Sequence, residues 1–265
     1  MKNIEVHPTA ILSKDVELSE GCIIGPYSIL DGKIRLGKNC KVESHAVLRG
    51  TITAGEENQF FQFCSIGEVP QDISYKGEDT KVKIGDRNIF REYVSVHRGT
   101  LKQDGITIIG NDNLLMAHTH VGHDCNIGSN CIIVNSANIA GHVVIKDRVI
   151  LSGASAVSQF VTIGRGAYIG GSTTIDRDIP SFCTAIGNRV KIKGINIIGL
   201  RRQGFSREVI AESVEFLRAI ESSAFSPRSF VENKEEMASF ERNEVINLIV
   251  NDIMTSKVGI AVFSN

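Results

Sequence analysis

The feature that most limits how this chain can fold is a beat of six. From Val6 an aliphatic or equivalent residue recurs at every sixth position through Leu12, Leu18, Ile24, Leu30, Leu36, Val42 and Leu48, then Ala54, Phe60 and Ile66. The beat resumes at Ile84, Phe90 and Val96. It returns at Ile109 and runs through Leu115, Val121, Ile127, Ile133, Ile139, Ile145, Leu151, Val157, Ile163 and Ile169 to Ile175. Four places after many of these marks stands a second, usually small residue, as at Val16, Cys22, Ser28, Cys40, Ala46 and Cys64. A hexad is too short for a helical repeat unit and fits one flat face of a parallel β-helix. Three faces close a coil, and residues three hexads apart stack at about 4.8 Å. Mark and small residue then face inward and fill a narrow prism. Cys22 and Cys40, three hexads apart, become stacked core fillers, while Cys125 and Cys131 take that inward place on successive faces. Parallel crossovers are generally right-handed, but periodicity alone leaves the hand open.

Two stretches interrupt the beat, "QDISYKGEDTK" and "GTLKQDGIT", insertions near 70–81 and 99–107. The hexads occupy residues 1–189. From 190 to 265 the pattern turns helical, with apolar residues at Val209, Ile210, Val214, Phe216, Leu217 and Ile220, and again at Val245, Ile246, Leu248, Ile249, Val250 and Ile253. Ser206 suits an N-cap and Pro227 the first turn of a further helix. The fold class expected is mainly β, a hexapeptide β-helix followed by a small α-helical C-terminal region.

Composition removes several function classes. Lys plus Arg total 29 against 30 for Asp plus Glu, so no positive excess favours nucleic acid or an anionic membrane surface. No apolar run approaches the roughly 18 residues needed to span a bilayer, and the N-terminus lacks a signal-peptide pattern. These features suggest a soluble cytoplasmic protein without stable membrane insertion. The 6 cysteines include no CxxC pair, which argues against a disulfide framework.

The stretch "LLMAHTHVGHDCNIGSNC" brings His118, His120 and His123 close in sequence to Cys125 and Cys131. His and Cys are the commonest zinc ligands, and His is the commonest general base. The inward place of both thiols weakens a mixed zinc site and a cysteine nucleophile. An isolated outward His on a solenoid is ordinarily a solvated surface group, and His7 and His45 keep that reading.

The stretches "VHPTA", "SIGEVPQD", "IGDRNIFREYVSVHRGT", "DNLLMAHTHVGHDCNIG", "AGHV", "AVSQF", "IGG" and "GLRRQGFSRE" follow in this order along nearly the whole chain. Taken together they resemble the UDP-N-acetylglucosamine O-acyltransferase family, which opens lipid A biosynthesis. Hexads are common to many acyltransferases; the interruptions and the tail carry this resemblance. It implies a left-handed β-helix, assembled as a homotrimer with sites between neighbouring prisms. It also implies transfer of an (R)-3-hydroxyacyl group from acyl carrier protein to the glucosamine 3-hydroxyl of UDP-N-acetylglucosamine, with neither metal nor cofactor.

By this resemblance His123 is the general base, Asp124 orients it, and the backbone N–H of Gly141 stabilises the oxyanion. Gly141 stands three hexads after His123 and is expected one coil over. Gln71, Asp72, His97, His120, His142 and Gln159 match positions around the sugar, while Asn196 and Arg202 match the nucleotide-contacting region. Gly171 matches the position that limits acyl length, which suggests a donor of about fourteen carbons because a glycine would leave the groove open. The chain departs from the family pattern at four places. Ser74 stands where a Lys is expected, with Lys76 two places on. Ser158 replaces a His, Ile198 a Glu and Gln203 an Arg. Three other readings stay open. One is N-acylation of a 3-amino analogue of the sugar. Another is a zinc-dependent hexad-fold carbonic anhydrase using His118, His120 and His123. The third is a non-catalytic scaffold.

Overall fold

A computed structural model of the protein describes residues 3–240 and 243–263. The hexads become short strands arranged as three sheets of 12, 9 and 8 strands, which form the faces of a triangular prism. Successive coils pair in parallel at a spacing of three hexads, as in Glu5↔Ile23, Ile23↔Lys41 and Leu12↔Leu30. Register survives both insertions: Gln59 pairs with Ile89, and Ile89 with Leu114. The extra residues therefore leave the prism as loops and return to the same face.

Six residues per face require a sharp corner after every strand, and the corners follow a backbone rule. From Asp112 through His118, Asp124, Asn130, Ser136, His142, Arg148, Ala154 and Phe160, every sixth residue takes a left-handed conformation with φ between 55° and 66°. Asn and Asp tolerate that region best among residues with a side chain. Aromatic residues there instead stack on the corners above and below. Tyr27, His45, Phe63, Tyr93 and His118 form such a column, with ring centroids 4.8 to 5.3 Å apart, on the edge shared by the 12- and 9-stranded sheets.

The marks fill the interior. Ile24, Leu30, Leu36 and Val42 are buried, as are Cys22, Cys40, Cys64, Cys125 and Cys131 at the small positions. Val6, in the first coil, is 43% exposed because no further coil covers it. At the other end the chain turns back on itself. Strand Cys183–Ile186 pairs antiparallel with Lys191–Ile195, so the region from 190 opens on a strand before any helix.

Among the described residues five helices follow: α1 (Ile197–Arg202), α2 (Arg207–Ser222), α3 (Pro227–Glu232), α4 (Lys234–Met237) and α5 (Glu244–Thr255). Ser206 caps α2 by accepting from the Val209 N–H, and Pro227 occupies the first turn of α3 behind the Ser226 cap. Helix α5 docks through Asp252, which pairs with Lys146 and accepts from the Ser181 N–H (2.8 Å) and hydroxyl (2.5 Å). Among the described residues no helix is long and apolar enough to cross a membrane.

Candidate active site

The corner between the 9- and 8-stranded sheets carries a dense polar cluster. Strand His120–Val121 ends there, and the chain turns through His123 and Asp124, the latter left-handed at φ 59°. This places the Asp124 carboxylate beside the ring that precedes it, with His123 Nδ1 2.8 Å from Asp124 Oδ2. Both side chains are almost fully buried. Asp124 also accepts from the backbone N–H and the hydroxyl of Thr100, each at 2.7 Å, and donates its own N–H to Thr107 Oγ1 at 2.9 Å. These donors fix the carboxylate in place. An Nδ1–H on His123 then points at Asp124, leaving Nε2 as the free lone pair.

One coil on, Gly141 lies against the free side of that ring. A Cβ built on Gly141 would fall 2.5 Å from Cε1 and 2.7 Å from Nε2 of His123, so any side chain there would displace the imidazole. Among the described residues the Gly141 N–H has no acceptor within the chain. A lone pair and an unpaired backbone donor thus adjoin one space, which is the geometry needed to deprotonate an attacking group and receive a developing oxyanion.

That space is a cavity of about 450 Å³ lined by His123, Gly141, Gln71, His97, His120 and Gln159 among others. His120 Nδ1 is 2.8 Å from Ser95 Oγ, and its ring meets His97 edge-on at 4.9 Å between centroids. Burial first, and His120 second, push the His97 imidazole down to about 4. Burial, reinforced by His123, also holds His120 below its ordinary value. Both are therefore neutral near pH 7 and serve as hydrogen-bonding walls. Among the described residues the buried Nδ1 of His97 has no hydrogen-bond partner.

His142, at the next corner of the same edge, lies behind the dyad with its Nε2 3.7 Å from Asp124 Oδ2 and its Nδ1 2.9 Å from Gln103 Oε1. Its pKa is lowered mainly by burial. Asp72, in the first insertion, pairs with Lys102 at 2.7 Å and accepts from Ser74 N (2.8 Å) and Ser74 Oγ (2.7 Å). The Lys102 contact, followed by those from Ser74, holds its carboxyl well below the usual range. Ser95, Thr100, Lys102 and Gln103 are partners that the motif reading does not single out. For Lys102 and Gln103 the sequence signal is that they fall inside an interruption of the beat, and Thr100 also ends one of the quoted stretches.

The remaining candidates lie elsewhere. Asn196 and Arg202 line a second cavity of about 840 Å³ against the outer face of the 12-stranded sheet, beside Ile132, Ile150 and Tyr168. Gly171 is exposed at the corner between the 12- and 9-stranded sheets, and a Cβ there would meet only Gly153 O, at 3.5 Å.

The ligand sets considered for zinc fare differently. His118 stacks on Tyr93 at a different corner from His123, so the three histidines of the motif do not converge within one chain. His123, Asp124 and His142 do place their ligand atoms within 4.8 Å of one another. Those atoms are already engaged with each other and with Thr100 and Gln103, an arrangement suited to holding protons.

Comparison with known proteins settles the family. Residues 178–261 match the model for domain 2 of UDP-N-acetylglucosamine O-acyltransferase, and residues 106–141 match the bacterial transferase hexapeptide repeat. The acyl-[acyl-carrier-protein]–UDP-N-acetylglucosamine O-acyltransferase of Paraburkholderia phymatum is 44% identical over 257 residues, 96% of this chain and 98% of that protein. The protein of the same name from a Janthinobacterium species is 52% identical over 205 residues, 77% of this chain and 78% of that one. The chain belongs to the UDP-N-acetylglucosamine O-acyltransferase family.

Solved structures of the family agree. The Acinetobacter baumannii protein superposes with a TM-score of 0.92 at 38% identity, over 97% of this chain and 99% of that one. The Francisella novicida UDP-N-acetylglucosamine acyltransferase gives 0.91 at 32%, over 98% and 95%. The prism is thus the left-handed parallel β-helix of this family, an exception to the usual crossover hand. In this acyltransferase the departures from the family pattern fall in definite places. Ser74 hydrogen-bonds Asp72, Ser158 lines the His123 cavity, and Ile198 and Gln203 line the second cavity.

Proposed function

We propose that the protein transfers an (R)-3-hydroxyacyl group from acyl carrier protein to the 3-hydroxyl of UDP-N-acetylglucosamine, the first step of lipid A biosynthesis, in the cytoplasm and as a homotrimer. The observation that carries this reading is the His123 imidazole, tied to Asp124 through Nδ1 and pressed by its other side against the backbone of Gly141. A sugar hydroxyl is a poor nucleophile until its proton is removed. His123 Nε2 takes that proton as the oxygen attacks the thioester carbonyl carbon. The carbonyl oxygen becomes an oxyanion and accepts from the Gly141 N–H. The tetrahedral intermediate collapses, the C–S bond breaks, and the imidazolium returns its proton to the departing thiolate. Neutral His97 and His120, with Gln71, Asp72 and Gln159, are the groups available to the sugar.

Where the two cavities lie supports this assembly. The His123 cavity opens on the 9-stranded face, and the Asn196 and Arg202 cavity on the 12-stranded face. Between those faces runs the exposed aromatic column, with Tyr27 58%, Phe63 48% and Tyr93 50% exposed. Three prisms meeting at that edge set the 9-stranded face of one copy opposite the 12-stranded face of the next. The nucleotide contacts then come from the neighbouring copy.

The test is an acyl-transfer assay with acyl carrier protein carrying 3-hydroxyacyl chains of several lengths, and with UDP-N-acetylglucosamine or its 3-amino analogue as acceptor. We expect transfer to the hydroxyl sugar, and a loss of about 10² to 10⁴ in rate for His123→Ala with assembly intact. Transfer only to the amino analogue would replace the acceptor assignment. Near-normal activity of His123→Ala would remove the mechanism.

A further inference from the structure

The second insertion leaves the prism after strand Ser95–His97 and re-enters at strand Ile106–Ile109, and its side chains point to both halves of the site. Toward the base, Thr100 gives two hydrogen bonds of 2.7 Å to Asp124, and Gln103 lies 2.9 Å from His142 Nδ1. Toward the first insertion, Arg98, at its root, donates to Gly67 O at 2.9 Å and to the Tyr75 hydroxyl at 3.0 Å, and Lys102 reaches Asp72 at 2.7 Å. The first insertion holds itself mainly by short-range bonds, such as Ser74 to Asp72 and Lys76 N to Glu78. Its other links to the prism, Asp79 with Thr51 at 3.0 Å and with Lys33 at 3.9 Å, lie at its far end. Ile73 beside Asp72 is fully exposed and adds no packing there, while Pro70 on the other side of Gln71 is buried. Among the described residues, the long-range hydrogen bond to a side chain next to Gln71 is the one from Lys102 to Asp72.

We infer that Lys102 is a positioning residue: by holding Asp72 it sets the first insertion, and with it Gln71, over the acyl-acceptor cavity, while Thr100 on the same segment fixes the catalytic dyad. The segment 98–103 thus joins acceptor binding to base alignment. This rests on the acyl-transfer reading above. The ammonium is about half exposed and the pair is screened by solvent, so its effect belongs in acceptor affinity more than in the stability of the fold.

The experiment compares the full-length wild type with Lys102→Met and Lys102→Arg. It measures UDP-N-acetylglucosamine binding by calorimetry together with kcat and KM for acceptor and donor. Met keeps the apolar stem and removes the charge; Arg keeps a cation that can reach the carboxylate. In Lys102→Met the acceptor Kd and KM should rise about fivefold. Saturating kcat and the donor KM should change by less than about twofold, and Lys102→Arg should recover most of the loss. An unchanged acceptor Kd in Lys102→Met would overturn the inference. So would a lower kcat with unchanged Kd, or an equal loss in the Arg variant. Wild type that fails to bind the nucleotide sugar at all would instead overturn the acceptor reading beneath it, and the inference with it.

Discussion

Gly141 and Gly171 hold equivalent places in their hexads, each one residue before a left-handed corner, and neither takes a positive φ itself. Backbone freedom is therefore not why either is glycine, and their surroundings separate the two. At Gly141 a side chain would strike the His123 ring; at Gly171 it would make one ordinary contact, with Gly153 O at 3.5 Å. A larger residue at 171 fits the fold and projects outward. At about 4.8 Å per coil, Gly171 stands roughly 13 Å beyond His123 along the prism axis. For a chain running along the axis that is the reach of about ten carbons, with Gly171 on the neighbouring edge of the prism from His123. Gly171→Met should therefore shift preference from donors of about fourteen carbons toward about ten, since seating the excess methylenes would cost about 1 to 3 kcal/mol of overpacking. Relative rates for the two donors, with melting temperature as control, decide it. An unchanged ratio would leave Gly171 no part in measuring the chain.

The coils that carry the insertions share a device absent from the rest of the prism. In the inward column that holds Cys22 and Cys40 before them and Cys131 after, stand the buried residues Asn58, Asn88 and Asn113. Each carboxamide bonds main chain of the next coil: Asn58 Oδ1 accepts from Asn88 N, Asn88 Oδ1 from Asn113 N, and Asn113 Oδ1 from Cys131 N, at 2.8 to 3.0 Å. Each also donates to a glycine carbonyl, Asn88 to Gly110 O at 2.9 Å. Asn88→Ala would strand the Asn113 N–H and the Gly110 carbonyl in the interior, at a cost of about 3 kcal/mol. Asn88→Cys should cost less, because a thiol in this column bonds the equivalent carbonyl, as Cys40 Sγ does to Gly55 O at 3.1 Å. Urea midpoints at one protein concentration test the order; an Ala variant within about 0.5 kcal/mol of wild type would refute it. The same column shows what the sequence reveals and what it hides. Aliphatic marks and stacked cysteines are legible because a six-residue period is local. Inward hydroxyls such as Ser28 find a carbonyl three residues back, but the Oδ1 atoms of these inward carboxamides meet main chain a coil away, across insertions of unpredictable length. The roles of Thr100, Lys102 and Gln103 in the loop are hidden by distance too: their partners are 24, 30 and 39 residues away. Strand Lys191–Ile195 is hidden differently, since its pairing with Cys183–Ile186 reverses the parallel rule that the repeat establishes.

At the scale of the molecule, one chain carries the two sets of proposed site residues on different faces of the prism. The dyad and the Gly141 N–H belong to the cavity on the 9-stranded face, and Arg202 to the cavity on the 12-stranded face around the corner. If a working site takes its base from one copy and Arg202 from the next, two inactive variants should repair each other. In a mixture of His123→Ala and Arg202→Ala chains at equal amounts, a site is intact only where a copy with native His123 faces a neighbour with native Arg202. Random assembly makes each condition hold half the time, so about a quarter of sites recover. Assayed well below the acceptor KM, where loss of Arg202 weighs fully on the rate, co-expressed hybrids should approach about one quarter of wild-type kcat/KM. The two variants mixed after separate assembly should stay near the sum of their own low rates until subunits exchange. Sites contained within single chains would give no recovery in either preparation, because every chain would carry one lesion in its own site.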